Sequence, residues 1–141
     1  MKLALVGNGK IVRGALTALP YVPKIKVTAI CCRPQSKDKA DALANEFGIP
    51  QVFTDYDQLL KEKDIDFVYI GISNHVHYEY GRKALEAGKN VIMEKPMCLK
   101  YEEVEALAAL AFKKELYLFE AVTFLHAPFF EKIRWAAKQL G

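Results

Sequence analysis

Cysteine, long apolar runs and an excess of one charge are all scarce in this chain. The cysteines are Cys31, Cys32 and Cys98, and no two form a C-x-x-C pair. Adjacent cysteines in a strand point to opposite faces, so free buried thiols in a reducing cytoplasm are expected, and neither a metal centre nor a disulfide. No apolar run approaches the ~20 residues that cross a bilayer. Only four apolar residues separate Lys2 from Gly7, too few for a secretory leader. The expected location is therefore the cytoplasm, with no membrane partner. Lys and Arg number 20 against 17 Asp and Glu, a net charge of +3. The basic residues form no stripe with interleaved aromatics, which excludes nucleic acid as a partner. Internal repeats and low-complexity linkers are missing as well. What remains is 141 residues, 52% of them hydrophobic, the size of one domain with a substantial core.

The organising stretch is Lys2–Leu19, KLALVGNGKIVRGALTAL. Leu3, Ala4, Leu5 and Val6 read as a short strand buried on both sides. Gly7-Asn8-Gly9 is a tight turn, and Ile11, Val12, Ala15, Leu16 and Leu19 follow at helical spacing. Strand, glycine turn and helix together form the context in which a glycine pattern holds phosphate. The first helical turn offers unpaired N–H groups and the positive end of the helix dipole. Gly7 permits the turn and Gly9 clears the approach to the backbone. A third glycine of G-x-G-x-x-G would fall where Val12 stands. That glycine serves helix–strand packing, so its loss is expected to push the helix slightly outward without abolishing the anion site. A glycine turn with no ligand is the competing reading.

Further along, Lys26–Cys32 is a second strand, and Ser36 is placed to cap a helix that ends at Phe47 before Gly48 and Pro50. Val52-Phe53 is a short third strand, Asp57 opens a brief helix, and Phe67–Ile72 is an apolar fourth strand. Ser73-Asn74 is expected to cap a helix over His75–Ala87. Asn90–Met93 is the fifth strand, Tyr101–Lys114 a long helix and Tyr117–Val122 the sixth strand. Pro128–Leu140 is a last amphipathic helix, with Phe130, Ile133, Trp135 and Ala137 as candidate packing residues. Apolar strands alternating with helices predict an α/β fold, a doubly wound parallel sheet in the order 3-2-1-4-5-6 with helices on both faces. Ligands bind such sheets beyond the carboxyl ends of the strands, where the order reverses.

At those strand ends the residue types carry chemistry. A carboxylate about 20 residues past the glycines would hold the ribose hydroxyls of NAD. The second strand ends instead in Cys32 and Arg33, with no acid before Asp38. A guanidinium can stack on adenine and pair with a 2′-phosphate, which favours NADP and leaves NAD possible. A solvated loop charge is the alternative for Arg33. After the fourth strand, Ser73-Asn74-His75-Val76-His77 opens a helix toward the same crevice, where ordinary capping and a structural histidine compete with ligand contact. After the fifth, Glu94-Lys95-Pro96 holds Lys95 extended at the strand mouth. Lys95 can hydrogen-bond a substrate hydroxyl or carbonyl and relay a proton, with Glu94 to orient it. A surface salt bridge is the alternative.

Taken together, GNGKIV, AICCR, EFGIPQVFTDYDQLL, DFVYIGISNHVHYEYGRKALEAGKNVIMEKPM and LFEAVTFLHAPFF resemble the glucose–fructose oxidoreductase / inositol dehydrogenase / rhizopine-catabolism (Gfo/Idh/MocA) family. The resemblance spans nearly the whole chain. It implies a dinucleotide-binding Rossmann domain over 1–141, followed in the family by a substrate domain that this chain does not contain. It implies an NAD(P)-dependent oxidoreductase acting on a sugar, polyol or related carbonyl compound. By position, Gly7, Asn8, Gly9, Lys10 and Ile11 would line the pyrophosphate, and Cys32 and Arg33 would face the adenosine end. Ile72, Ser73, Asn74 and His77 would flank the cofactor, Glu94 and Lys95 would lie near the nicotinamide, and Lys95 would handle the proton. Where many members carry an arginine after the sixth strand, this chain reads Thr123-Phe124-Leu125-His126.

The leading expectation is thus the cofactor-binding half of an NADP-preferring oxidoreductase, which alone binds cofactor weakly and turns over nothing. A non-catalytic cofactor-sensing protein on the same fold is the alternative. A methyl-transfer domain using S-adenosylmethionine is a third reading, disfavoured by Arg33 and by Glu94-Lys95-Pro96. Self-association into a homo-oligomer is expected through whatever apolar surface the missing domain would cover.

Overall fold

A computed structural model describes residues 1–140, His126 without its side chain; Gly141 lies outside the described residues. Six strands form one parallel sheet: β1 (Lys2–Val6), β2 (Lys26–Cys31), β3 (Gln51–Phe53), β4 (Phe67–Ile70), β5 (Asn90–Glu94) and β6 (Leu118–Ala121). Their order is β3-β2-β1-β4-β5-β6. The helices are α1 (Lys10–Ala18), α2 (Lys37–Phe47), α3 (Tyr56–Lys61), α4 (His77–Glu86), α5 (Tyr101–Lys113) and α6 (Pro128–Leu140). Among the described residues no helix is long and apolar enough to cross a membrane.

Period-two alternation divides the core between the two faces of the sheet. Leu3, Leu5, Ile30, Cys32 and Tyr69 pack with Val12 and Leu16 of α1 and with Ala40, Leu43 and Ala44 of α2. Ala4, Val6, Cys31, Val68, Ile70, Val91 and Met93 pack on the other face with α3, α4 and α5. Cys31 and Cys32 therefore lie on opposite sides, and all three cysteines are free. Near the amino end of β2 the register with β1 shifts, so that Leu3 faces Val27 and Ala4 faces Ala29. Thr28 is the extra residue, and its hydroxyl is buried without a partner.

Val12 is fully buried. A Cβ on Gly71 would lie 2.9 Å from Val12 Cγ2. The glycine missing from α1 is thus matched by one at the end of β4, and the outward shift expected of the helix is not required. Capping also differs from expectation. Ser36 makes no side-chain bond to α2, and Ser73 none to the one-turn 3-10 helix Asn74–Val76 that precedes α4. Asp55 does cap, accepting from the N–H groups of Asp57 and Gln58, so α3 starts at Tyr56.

Cover is incomplete over β5 and β6 on the α1/α2 face. Ile92 is only partly buried, and Phe119, its neighbour in register, is half exposed. α6 does not fill that space. It has no buried residue, and Ile133 and Trp135, expected to pack, are 53% and 67% exposed.

Candidate nucleotide site

The tips of β1, β2 and β4 diverge around a cleft of about 530 Å³, within the range of about 300 to 1,000 Å³ typical of small-ligand pockets. Its floor is backbone. Gly7 has φ of 109°, and a Cβ there would strike the Gly71 carbonyl, so only glycine fits. Gly9 is the residue before α1, with open space where a side chain would project. The first intrahelical bond runs from Arg13 N–H to the Gly9 carbonyl at 3.1 Å, and no side chain caps the N–H groups before it. These free donors and the open position above Gly9 suit an anion.

The second wall follows β2. Gly7 N–H donates to the Cys31 carbonyl at 2.8 Å and Cys32 N–H to that of Phe53 at 2.9 Å, which extends the sheet into the cleft. Asn8 Nδ2 donates to the Ser36 carbonyl at 2.9 Å and ties the glycine turn to the loop carrying exposed Arg33. Burial pushes the Cys31 thiol up to about 12, with help from Cys32 and Asp55. Burial also raises Cys32, as does Asp41, while Lys37 opposes the shift. Both are neutral thiols at ordinary pH, unable to replace a carboxylate as a strong ribose acceptor.

Of the expected site residues, Gly7, Asn8, Gly9, Cys32, Arg33, Ile72 and Ser73 share this cleft. Lys10, Ile11 and Asn74 lie outside its wall, all exposed. His77 is fully buried beneath it, with Nδ1 2.9 Å from the Pro96 carbonyl oxygen and Nε2 3.2 Å from that of Ile72. The ring is therefore committed to the protein and does not face the crevice. Glu94 is buried and accepts from the Tyr69 hydroxyl at 2.5 Å. Among the described residues its carboxylate does not pair with the Lys95 ammonium, so the surface salt bridge considered above is not formed; it reaches Lys95 through the backbone, with Oε2 accepting the Lys95 N–H at 3.3 Å. Lys95 is exposed, and its Nζ has no hydrogen-bond partner among the described residues. The Lys95–Pro96 peptide is cis. The side chain of His126, in the segment where the family pattern departs, lies outside the description.

Sequence reasoning missed the third wall. Thr54, Tyr56, His75, Val76 and Tyr80 also line the cleft. Tyr56 and Tyr80 stack with ring centroids 4.5 Å apart, and the Tyr56 hydroxyl donates to the Tyr80 carbonyl at 2.9 Å. The strand order could have flagged Thr54, since it places the β3 tip beside that of β2. Among the described residues no cluster of His, Cys, Asp or Glu could hold a metal ion.

Comparison with known proteins decides the family. Residues 1–122 match the GFO_IDH_MocA group, described as an oxidoreductase family with an NAD-binding Rossmann fold. The chain belongs to this family. It is 31% identical over 133 residues to a trans-1,2-dihydrobenzene-1,2-diol dehydrogenase of Xenopus tropicalis, covering 94% of this chain and 40% of that protein. It is 36% identical over 129 residues to a dTDP-3,4-didehydro-2,6-dideoxy-alpha-D-glucose 3-reductase of Actinomadura kijaniata, covering 91% and 38%. Among solved structures, the 3-ketoreductase KijD10 from Actinomadura kijaniata, in complex with TDP-benzene and NADP, superposes with a TM-score of 0.91 at 34% identity. That match covers 99% of this chain and 43% of the other. GenD2 from gentamicin A biosynthesis, in complex with NAD, matches at a TM-score of 0.88 and 26% identity over 94% of this chain and 37% of its own. The chain thus spans about 40% of the length of its curated relatives.

Proposed function

We propose that this chain is the NADP-binding part of an oxidoreductase acting on a sugar, polyol or related carbonyl compound. The observation that carries the reading is the cleft itself: free helix N–H groups on one side and, at the β2 tip, Arg33 where a ribose-binding carboxylate would otherwise stand. The relatives' names, a dehydrogenase and a reductase, favour an enzyme over a cofactor sensor. When bound, the nicotinamide supplies hydride transfer. The turn Gly7–Gly9 and the first N–H groups of α1, at Lys10 and Ile11, hold the diphosphate. Arg33 pairs with the 2′-phosphate and stacks on adenine. Ile72, Ser73 and Asn74 bound the cofactor from the β4 side, and Lys95 holds and relays the proton of the substrate hydroxyl. The exposed apolar surface over β5 and β6 is a self-association face.

Titration with NADPH, NADH and S-adenosylmethionine tests the reading. NADPH is expected to bind more tightly than NADH, and Arg33→Ala to remove at least about tenfold of that preference, since one charged hydrogen bond is worth about 1.5–3 kcal/mol. Equal affinities in the unmodified chain would overturn the NADP assignment. Binding of S-adenosylmethionine alone would overturn the whole reading.

A further inference from the structure

The segment Glu94–Met97 leaves β5 at the sheet end where the cleft opens, and side chains from three other elements hold it. From β4, the Tyr69 hydroxyl donates to Glu94 Oε1 at 2.5 Å, while the Lys95 N–H donates to Glu94 Oε2 at 3.3 Å. From α4, His77 sets Nδ1 against the Pro96 carbonyl. From β6, Glu120 Oε1 accepts the Met97 N–H at 2.7 Å. Between these three holds the Lys95 side chain alone projects without a partner among the described residues. We propose that Tyr69, His77 and Glu120 are positioning residues that fix where the Lys95 ammonium stands. This rests on the role given to Lys95 above.

Three physical points support it. A flexible lysine stem gains precision only from a fixed backbone, and a proton-handling group misplaced by about 1 Å loses much of its effect. Tyr69 remains a donor at any working pH, because burial first and then the bond to Glu94 raise its phenol. His77 reaches both strand tips, since its Nε2 faces the Ile72 carbonyl on the cleft wall. Both of its partners are carbonyl oxygens, which only accept, so each bond needs a ring N–H and a single tautomer supplies it to one of the two.

The test is ¹³C-methyl NMR of the reductively methylated chain, with the Lys95 resonance assigned by its loss in Lys95→Arg. In the unmodified sequence, saturating NADP⁺ is expected to shift the Lys95 resonance. Glu120→Ala should reduce that shift by about half or more while the dissociation constant stays within about threefold, and Glu120→Gln, which keeps an acceptor oxygen, should restore it. His77→Gln provides a second variant that retains one N–H donor and should show an intermediate shift. A full Lys95 shift in Glu120→Ala, or a reduction that merely tracks lost affinity or a lowered melting temperature, would overturn the positioning role. So would tight NADP⁺ binding that leaves Lys95 unmoved in the unmodified chain. Absence of any binding would instead sink the proposed function, and this inference with it.

Discussion

Gly71 and Val12 show how one residue's size is set by another far along the chain. The pair is complementary, with a valine on α1 seated against a residue that lacks a Cβ. Gly71→Ala should destabilise the chain by about 1–3 kcal/mol, the usual cost of overpacking a core. In the Val12→Ala background the same change should cost clearly less, because contacting residues are not additive. Denaturant melts of the two single variants and the double variant check this; strict additivity would mean that the two residues do not compete for the same space. The sequence shows that a third glycine is missing from the turn but not that its counterpart lies at residue 71, because that pairing exists only once β4 stands beside β1. The same holds for His77. Its spacing marks a helix start, while the carbonyls of Ile72 and Pro96 that occupy its ring meet only in the folded chain.

The strands were the most legible elements. Each is a short apolar run between turn residues, and parallel strands covered by helices leave one winding rule to order them. Caps were less so, since Ser36 and Ser73 have the right chemistry but bond to nothing there, whereas Asp55 does the work for α3. α6 was legible as amphipathic but not as lacking any buried residue, because periodicity shows that a face is apolar and says nothing of what covers it. Tyr117, Phe119, Ile133 and Trp135 are all at least half exposed, more large apolar surface than isolated chains usually show. Sedimentation should therefore find association that grows with concentration, and Phe119→Lys should weaken it. A monomer at every concentration would contradict the prediction.

For the molecule as a whole, the buried acids of the core set its response to alkali. The thiol of Cys31 is pushed from its ordinary 9.0 up to about 12, and that of Cys98 to about 11, in both cases chiefly by burial. Tyr56 is raised as well, again first by burial. Above pH about 9 the unfolded chain loses thiol protons that the folded chain keeps, so the unfolded state binds fewer protons and stability falls with rising pH. The urea midpoint should decline from about pH 9 to 12, and less steeply in Cys31→Ala; a midpoint that holds or rises over that window would contradict the burial assigned to these groups.

On the proposed function, a dinucleotide diphosphate lies on the backbone amides at the start of α1, with its adenosine end at Arg33. Amide chemical-shift mapping during an NADP⁺ titration tests it most directly. The largest shifts are expected at Gly9, Lys10, Ile11 and Arg33. Largest shifts at the shallow charged groove between Asp57 and Lys83, with the glycine turn unmoved, would contradict it.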